Sequence, residues 1–195
     1  MKMIGLTGGI GSGKTTVGLM FQDLGIPVYN SDKEARRIMN EDAEVRKAVI
    51  LLLGKSAYKK NVLDRNYVAA KVFGDGALLQ KLNEIVHPAV KNDFRAWASL
   101  QSSPYVIQEA AILFENGGYK ELDDMILITA PKEIRIDRIK KRDNLEESAI
   151  LERMRHQWPE EKKMKLAHFV IHNEYLQDTL IQVRNIHEQL ILKYA

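Results

Sequence analysis

The sequence predicts an α/β fold in which a parallel five-stranded sheet is flanked by helices. Two observations lead to this prediction. Short apolar runs that indicate buried strands recur along the chain, and amphipathic stretches with helical periodicity separate them. Strands alternating with helices are the pattern of an open sheet with right-handed crossovers. The predicted strands are Met3–Leu6, Pro27–Tyr29, Tyr105–Ile107, Met125–Ile128 and Phe169–Ile171.

The predicted helices explain how these strands are connected. Residues 30–104 have helical patterns but no convincing strand, and they are too many for one crossover. We therefore expect a helical insertion there, and a second, charged excursion before the last strand. The predicted helices are Lys14–Leu24 (closed by Gly25), Asp32–Met39, Glu41–Leu53 (closed by Gly54), a block from about Asn66 to Leu100, Pro131–Lys141, Ser148–His156 and Gln177–Tyr194.

The insertion and the charged excursion divide the chain into three predicted parts: a core (1–31, 101–137 and 166–195), a helical substrate-binding subdomain (32–100) and a short lid (138–165).

The composition narrows the class of protein. The 195 residues are 45% hydrophobic and 28% charged, which is ordinary for a globular protein. The net charge of +3 is too small to argue for a nucleic-acid partner. The absence of cysteine excludes disulfides and thiolate chemistry. Because neither a signal peptide nor a membrane-spanning run is evident, we expect a cytoplasmic protein without a membrane partner.

A phosphate-binding loop is the strongest motif in the chain. The segment Gly8–Thr15 fits G-x-x-x-x-G-K-[ST] at every fixed position, and it lies between a predicted strand and a predicted helix. Its glycines allow successive N–H groups to face one concavity, and the helix adds its positive dipole end. Lys14 then reaches the β- and γ-phosphates, and Thr15 offers a hydroxyl to Mg²⁺. A chance match of a glycine-rich turn is the alternative, and the register of loop, strand and helix argues against it.

The loop alone leaves several classes of nucleotide-binding protein open. The chain contains no Asn-Lys-x-Asp motif, which a GTPase would use to recognise guanine. A motor ATPase is typically longer and has an apolar strand ending in Asp. In this chain the predicted strand Tyr105–Ile107 continues into Gln108-Glu109 instead. A small-molecule kinase is therefore favoured. Another small-metabolite kinase, or a regulatory switch that hydrolyses ATP slowly, remains an alternative.

Longer segments resemble one kinase family. The stretch Gly5–Val17 is similar, almost letter for letter, to the opening of the dephospho-CoA kinases. Two departures stand out: Asn30 replaces the first acid of the family's Asp-x-Asp pair, and Ala111 replaces a proline. Asn30 leaves the role of that first carboxylate open. The later segments that resemble the family, in its order, are Tyr29–Asp32, Val86–Val90, Ile112–Glu115, Arg142-Asp143, Arg153–Gln157 and Ala167–Asn173.

The resemblance implies a P-loop kinase fold and an enzyme that transfers the ATP γ-phosphate to the 3′-hydroxyl of dephospho-CoA, assisted by Mg²⁺. It implies catalytic roles for Asp32, Lys14 and Arg142, with Thr15 at the metal. The ATP site implied by the resemblance contains Gly9, Gly11, Ser12, Gly13, Lys14, Thr15, Thr16, Arg142, Arg153 and Asn173. The acceptor site so implied, in the helical subdomain and beside it, contains Asp32, Arg65, His87, Phe114 and Glu115.

All of these residues outside the loop except Glu115 also have a structural interpretation. Ser31 and Glu34 suit a capping box, in which Asp32 would only favour the helix dipole. His87 before Pro88 suits a helix boundary. Arg142, four residues after Arg138, suits a solvated helix face, as does Arg153. Arg65 can be an ordinary surface arginine, and Asn173 can simply end a strand. Phe114 can simply pack in the hydrophobic core. The sequence does not indicate an oligomeric state.

Overall fold

A computed structural model describes residues 1–72 and 74–194. Two positions in the predicted ranges, Phe73 in the helical block and Ala195 at the end of the core, lie outside the described residues. The five predicted parallel strands are confirmed, with ends that differ by one or two residues. The strands are β1 (Lys2–Gly8), β2 (Val28–Asn30), β3 (Tyr58–Lys59), β4 (Val62–Leu63), β5 (Tyr105–Glu109), β6 (Asp124–Thr129) and β7 (Phe169–His172).

The parallel sheet has the strand order β2-β5-β1-β6-β7, so β1 lies in its centre. Leu6 of β1 is paired in register with Glu109 of β5 on one side and with Ile126 of β6 on the other. Because all five strands run the same way, their carboxyl ends share one edge of the sheet, where ligands bind in such folds. The phosphate loop therefore follows the central strand at that edge.

The helices occupy the segments in which helical periodicity predicted them, with ends shifted by up to two residues for most of them. The predicted block at 66–100 is two helices, and one short helix, α8, was missed by the prediction. The helices are α1 (Lys14–Asp23), α2 (Ser31–Glu41), α3 (Ala43–Leu53), α4 (Arg65–Val72), α5 (Gly76–Ser99), α6 (Lys132–Asp143), α7 (Glu147–Arg155), α8 (Glu160–Met164) and α9 (Leu176–Tyr194).

Hydrophobic clusters fix the helices that border the phosphate loop. One cluster joins β1 and its neighbours to α1 and α9 and includes Leu6, Phe21 and Val183, all of them fully buried. A second cluster contains Phe114 and Leu127, with Trp158 and Leu166 packed against it. The third, which we call the α6–α7 cluster, comprises the buried Ile136, Ile139 and Ile150 with the partly buried Ile10, Leu145, Leu151 and Met154. It attaches the phosphate loop to α6.

The chain forms two compact units: Met1–Asn30 together with the chain from Ala98 onward, and Ser31–Trp97. The first contains the parallel sheet and α6–α9. The prediction of three parts, with a separate lid at 138–165, stays a prediction. No helix in the two described ranges is long and apolar enough to cross a membrane.

The helical unit, Ser31–Trp97, corrects one prediction. Its β3 and β4 form an antiparallel hairpin, so the expectation that residues 30–104 contain no strand was wrong. Lys60 and Asn61 form its turn with φ of 48° and 68°. Such positive φ values at both central residues are typical of the turn that matches strand twist. Two-residue strands are too short to produce a detectable alternation of polar and apolar residues.

A candidate nucleotide site at the carboxyl edge of the sheet

The phosphate loop has the backbone conformation that its sequence predicts. Gly11 and Gly13 have φ of +80° and +93°, in the region that favours glycine. Ser12 N–H donates to the Gly9 carbonyl at 3.1 Å, which closes a turn at the start of the loop. The Lys14 ammonium donates to the carbonyls of Gly8 (3.0 Å) and Gly9 (3.3 Å), so the lysine lies along the loop. The contact of Lys14 with nucleotide phosphates stays a prediction.

A buried carboxylate lies behind the loop's threonine. The Thr15 hydroxyl donates to Glu109 Oε1 at 3.0 Å, and the Asn30 side-chain amide donates to Glu109 Oε2 at 2.9 Å. Glu109 is the last residue of β5 and is only 6% exposed. The neighbouring Thr16 is exposed on the first turn of α1. The three polar groups therefore come from three different elements at one edge of the sheet.

Helix α6 and the connection between α7 and α8 contact the other end of the loop. Arg135 Nε donates to the Ile10 carbonyl at 2.9 Å, and Ile10 N–H donates to Gln157 Oε1 at 2.8 Å. The guanidinium lies so close to Gly9 that a Cβ there would overlap it. A further partner of Arg135 is Glu160 (Nη1–Oε2 3.6 Å). Burial lowers the pKa of Arg135, and Glu160 opposes that shift.

Asn173 follows β7 and holds the middle of the loop. Its side-chain amide donates to the Ser12 carbonyl at 2.7 Å, while its Oδ1 accepts from the Thr179 hydroxyl at 3.0 Å. Arg138 adds a longer bond from Nη1 to the same Ser12 carbonyl, at 3.4 Å. Among the described residues, the buried Ser12 hydroxyl has no hydrogen-bond partner. The structure thus gives Asn173 a contact with the loop, and its contact with adenine stays a prediction.

The two predicted lid arginines are on the outside of this arrangement. Arg142 is at the end of α6 with its side chain 65% exposed. Its Nε and Nη2 donate to the two oxygens of Asp143, at 2.7 and 2.8 Å. These bonds lower the pKa of Asp143, and the charge of the exposed Arg153 contributes to the same shift. Arg142 is thus paired with Asp143, and the contact of Arg142 and Arg153 with ATP stays a prediction.

Phe114 and Glu115 have partners within the protein. Phe114 is 1% exposed, and its ring packs 5.4 Å from that of Tyr119, so the structure has the core packing that was the alternative for this residue. Glu115 Oε1 lies 2.6 Å from the Lys163 ammonium, which is 2% exposed, and also accepts from Trp158 N–H at 3.0 Å. Glu115 thus holds α8 and the residue Trp158 that precedes it. Their role towards an acceptor stays a prediction.

Within the helical unit, the remaining predicted residues lie on three helices. Asp32 is exposed in the first turn of α2, and Arg65 is exposed at the start of α4. His87 is half-buried in α5, and this burial lowers its pKa. The alternative that placed a helix boundary at His87 was wrong, because α5 continues through Pro88. Val86 and Val90, on either side of Pro88, are buried.

Beside the loop lies a cavity of about 840 Å³, a volume suited to a small-molecule ligand. Four cationic side chains line it together with Glu160 and Glu174, and Trp158 and Leu127 provide apolar walls. The cationic residues that line it are Lys132, Arg135, Arg155 and Lys163.

The sequence analysis did not assign three residues to this site: Arg135, Gln157 and Glu109. It also did not predict that Glu109 contacts Thr15. Arg135, Arg138 and Arg142 recur at spacings of three and four on α6, so helical periodicity is a signal that could have found the first. The contact of Gln157 with Ile10 joins residues 147 positions apart, and no local pattern indicates it.

A phosphate loop after the central strand of a parallel sheet, with a carboxylate behind its threonine and arginines of α6 against it, defines a P-loop kinase. A comparison with protein families gives the particular family. The model of the dephospho-CoA kinase family matches residues 2–178. The chain belongs to the dephospho-CoA kinase family.

Individual relatives agree with this assignment. The chain is 37% identical over 172 residues to a dephospho-CoA kinase of Bacteroides fragilis, covering 88% of this chain and 84% of the relative. Among solved structures, TT1252 from Thermus thermophilus is 34% identical with a TM-score of 0.86, covering 96% of each chain. The dephospho-CoA kinase from Campylobacter jejuni is 27% identical with a TM-score of 0.71, covering 97% of this chain and 98% of the other.

Proposed function

We propose that this enzyme transfers the γ-phosphate of ATP to the 3′-hydroxyl of dephospho-CoA, giving coenzyme A and ADP. The observation that carries the proposal is the complete phosphate loop, with Lys14 along it, in a chain that belongs to the dephospho-CoA kinase family. Phosphoryl transfer needs positioning and charge neutralisation more than covalent chemistry. The loop supplies both through its N–H groups, the Lys14 ammonium and the start of α1.

The ATP site that we propose consists of the loop, two arginines and Asn173. The loop residues that would bind the phosphates through N–H groups, hydroxyls or the lysine ammonium are Gly9, Gly11, Ser12, Gly13, Lys14, Thr15 and Thr16. The orphaned Ser12 hydroxyl supports a ligand there. Arg142 would leave Asp143 and neutralise charge on the transferring phosphoryl group, since a planar guanidinium suits that task. Arg153 would assist from α7, and Asn173 would border the adenine.

The residues behind the loop fit a Mg²⁺ ion that arrives with the nucleotide. Thr15 and Glu109 present a hydroxyl and a carboxylate 3.0 Å apart, and such hard oxygen donors are what Mg²⁺ prefers. In the described part of the chain no cluster of three or more His, Cys, Asp or Glu residues could hold a metal. Mg²⁺ typically keeps several waters and takes one or two protein ligands besides phosphates. When bound, the ion would neutralise charge on the phosphates, while Glu109 keeps Thr15 oriented.

For the acceptor we propose Asp32 as the catalytic base. Asp32 is two residues beyond the end of β2 in the chain, and its carboxylate is exposed at the start of α2. Such a carboxylate can accept the hydrogen bond of the ribose 3′-hydroxyl and align it for attack. Arg65 and His87, with Phe114 and Glu115, complete the acceptor site by resemblance to the family. We further propose a cytoplasmic location, with small molecules rather than nucleic acid or membrane as partners.

An acceptor panel tests the function. ATP consumption is measured with dephospho-CoA, adenosine, AMP, shikimate or no acceptor, and the products are identified by mass. We expect turnover with dephospho-CoA and a product heavier by one phosphoryl group. Equal ATP hydrolysis with and without acceptor would identify a nucleotide-binding switch instead. Turnover with a different acceptor would keep the kinase and replace its substrate.

A further inference from the structure

Ile10 is the third residue of the phosphate loop, and side chains from outside the loop bind both polar groups of its backbone. Its N–H donates to Gln157 Oε1 at 2.8 Å, and its carbonyl accepts from Arg135 Nε at 2.9 Å. Its side chain packs in the α6–α7 cluster. We call Arg135 and Gln157 the loop clamp. The clamp therefore fixes the backbone of one loop residue from both sides.

The planarity of the peptide bond extends this restraint to the neighbouring residues. In a trans peptide unit the carbonyl and the next N–H point in opposite directions. Because Arg135 holds the Ile10 carbonyl, the Gly11 N–H must point away from Arg135. Because Gln157 holds the Ile10 N–H, the Gly9 carbonyl must point away from Gln157, and it accepts from Ser12 N–H. The clamp thus orients two successive peptide planes.

These two planes are the ones that most need an external restraint. Each joins Ile10 to a glycine, and glycine allows a peptide plane to rotate at little cost. A rotated Ile10–Gly11 plane would present a carbonyl oxygen to the phosphates in place of an N–H. The clamp also crowds Gly9, since the Arg135 guanidinium occupies the space of a Cβ there and would have to shift to admit one.

We propose that Arg135 and Gln157 are positioning residues that hold the Ile10 peptide planes so that the Gly11 N–H faces the bound phosphates. The proposal rests on the nucleotide-binding half of the proposed function and is independent of the acceptor. Its physical basis is preorganisation: donors that are already oriented do not lose conformational freedom when the ligand binds. It also implies that the connection between α7 and α8 stays in contact with the loop when the nucleotide binds.

Gln157→Leu tests the clamp, because leucine has a similar size but cannot accept a hydrogen bond from the Ile10 N–H. ADP binding is measured by calorimetry without acceptor, and exchange of the Ile10 and Gly11 amide protons by NMR. Loss of one hydrogen bond that orders the loop should weaken ADP binding roughly tenfold and speed amide exchange. Arg135→Lys should weaken ADP binding in the same way, since lysine keeps the charge but has no planar fork.

Two further variants make the test specific. Gln157→Glu keeps an accepting oxygen at the same distance, so Ile10 amide protection should be retained. Asn40→Leu is the matched control: Asn40 Oδ1 accepts Leu63 N–H at the same distance, 2.8 Å, but in the helical unit. It should leave ADP affinity unchanged.

The outcomes separate this inference from the function itself. Unchanged ADP affinity and amide exchange in both Gln157→Leu and Arg135→Lys would overturn it. Tighter ADP binding by Gln157→Leu would also overturn it, since the Ile10 N–H would then be a phosphate ligand that Gln157 blocks. If the wild type bound no ADP, the proposed function would fail first.

Discussion

Asn30 donates its side-chain amide to the buried Glu109, with Nδ2 and Oε2 2.9 Å apart. The other Glu109 oxygen accepts from Thr15, so the carboxylate is held between β2 and the phosphate loop. An acid at position 30 is what the family resemblance predicts, yet a carboxylate cannot donate this bond. Asn30 therefore suits a site in which Glu109 carries the charge.

Asn30→Asp should make stability depend on pH. Two carboxylates this close cannot both be ionised without cost, so the pair would retain a proton with a raised pKa. A raised pKa in the folded state contributes stability at low pH that is lost as pH rises. Urea unfolding at pH 5 and pH 8 should show a loss of about 1–3 kcal/mol that is larger at pH 8. The control Asn30→Asp/Glu109→Gln restores a donor and an acceptor and should remove most of the effect. Equal losses at both pH values in Asn30→Asp would contradict the explanation.

Lys14→Ala should lower turnover by at least about 10²-fold in a protein that remains folded. The change removes a charge placed along the loop, where it would stabilise the transferring phosphoryl group. Steady-state kinetics and circular dichroism check the two halves of this prediction. Lys47→Ala, at an exposed position of α3, is the control and should be neutral. Near-normal turnover of folded Lys14→Ala would remove the basis for the kinase site.

Asp32→Asn should lower turnover more than it weakens ATP binding, because Asp32 would address the acceptor hydroxyl. Asparagine still suits the start of a helix, so stability should change by less than about 1 kcal/mol. Asp42→Asn is the matched control: Asp42 caps α3 by accepting the N–H groups of Glu44 and Val45, and its replacement should leave turnover unchanged. If Asp32→Asn instead unfolded readily and kept its activity per folded molecule, the capping interpretation would be correct.

Arg142→Lys keeps a charge but loses the fork that now binds both oxygens of Asp143. If Arg142 meets the phosphates only when the reaction proceeds, turnover should fall about tenfold or more while ATP affinity changes little. Kinetics beside equilibrium ATP titration measure the difference, with the exposed Arg184→Lys on α9 as control. An equal fall in both quantities would indicate a ground-state contact, and no change in either would indicate a solvated arginine.

Lys163→Met should destabilise the protein by about 3–5 kcal/mol, because it leaves the Glu115 carboxylate buried without its cation. Lys163→Met/Glu115→Gln should recover much of this loss, since glutamine is neutral and still accepts the Trp158 N–H. Urea unfolding measures both. A full loss in the double variant would show that the charge was not the cause. The KM of the double variant for dephospho-CoA also tests whether Glu115 contacts the acceptor.

The sequence by itself determined the five parallel strands, most of the helices and the phosphate loop. Local causes produce these features: apolar runs form buried strands, and the glycines of the loop allow the φ values of Gly11 and Gly13. The hairpin was missed because its two-residue strands leave no periodic pattern, and the block predicted at 66–100 is two helices, α4 and α5.

Only the tertiary structure decided which side chains meet at the loop. Thr15 and Glu109 are 94 positions apart and meet because parallel strands bring the ends of distant segments to one edge. Gln157 and Ile10 are 147 positions apart and meet because the connection between α7 and α8 lies against the loop. Tertiary packing also buries Phe114 in the core and pairs the Glu115 carboxylate with the Lys163 ammonium. A motif specifies its own backbone through local conformational preferences, whereas the partners that orient it depend on how the whole sheet and its helices pack.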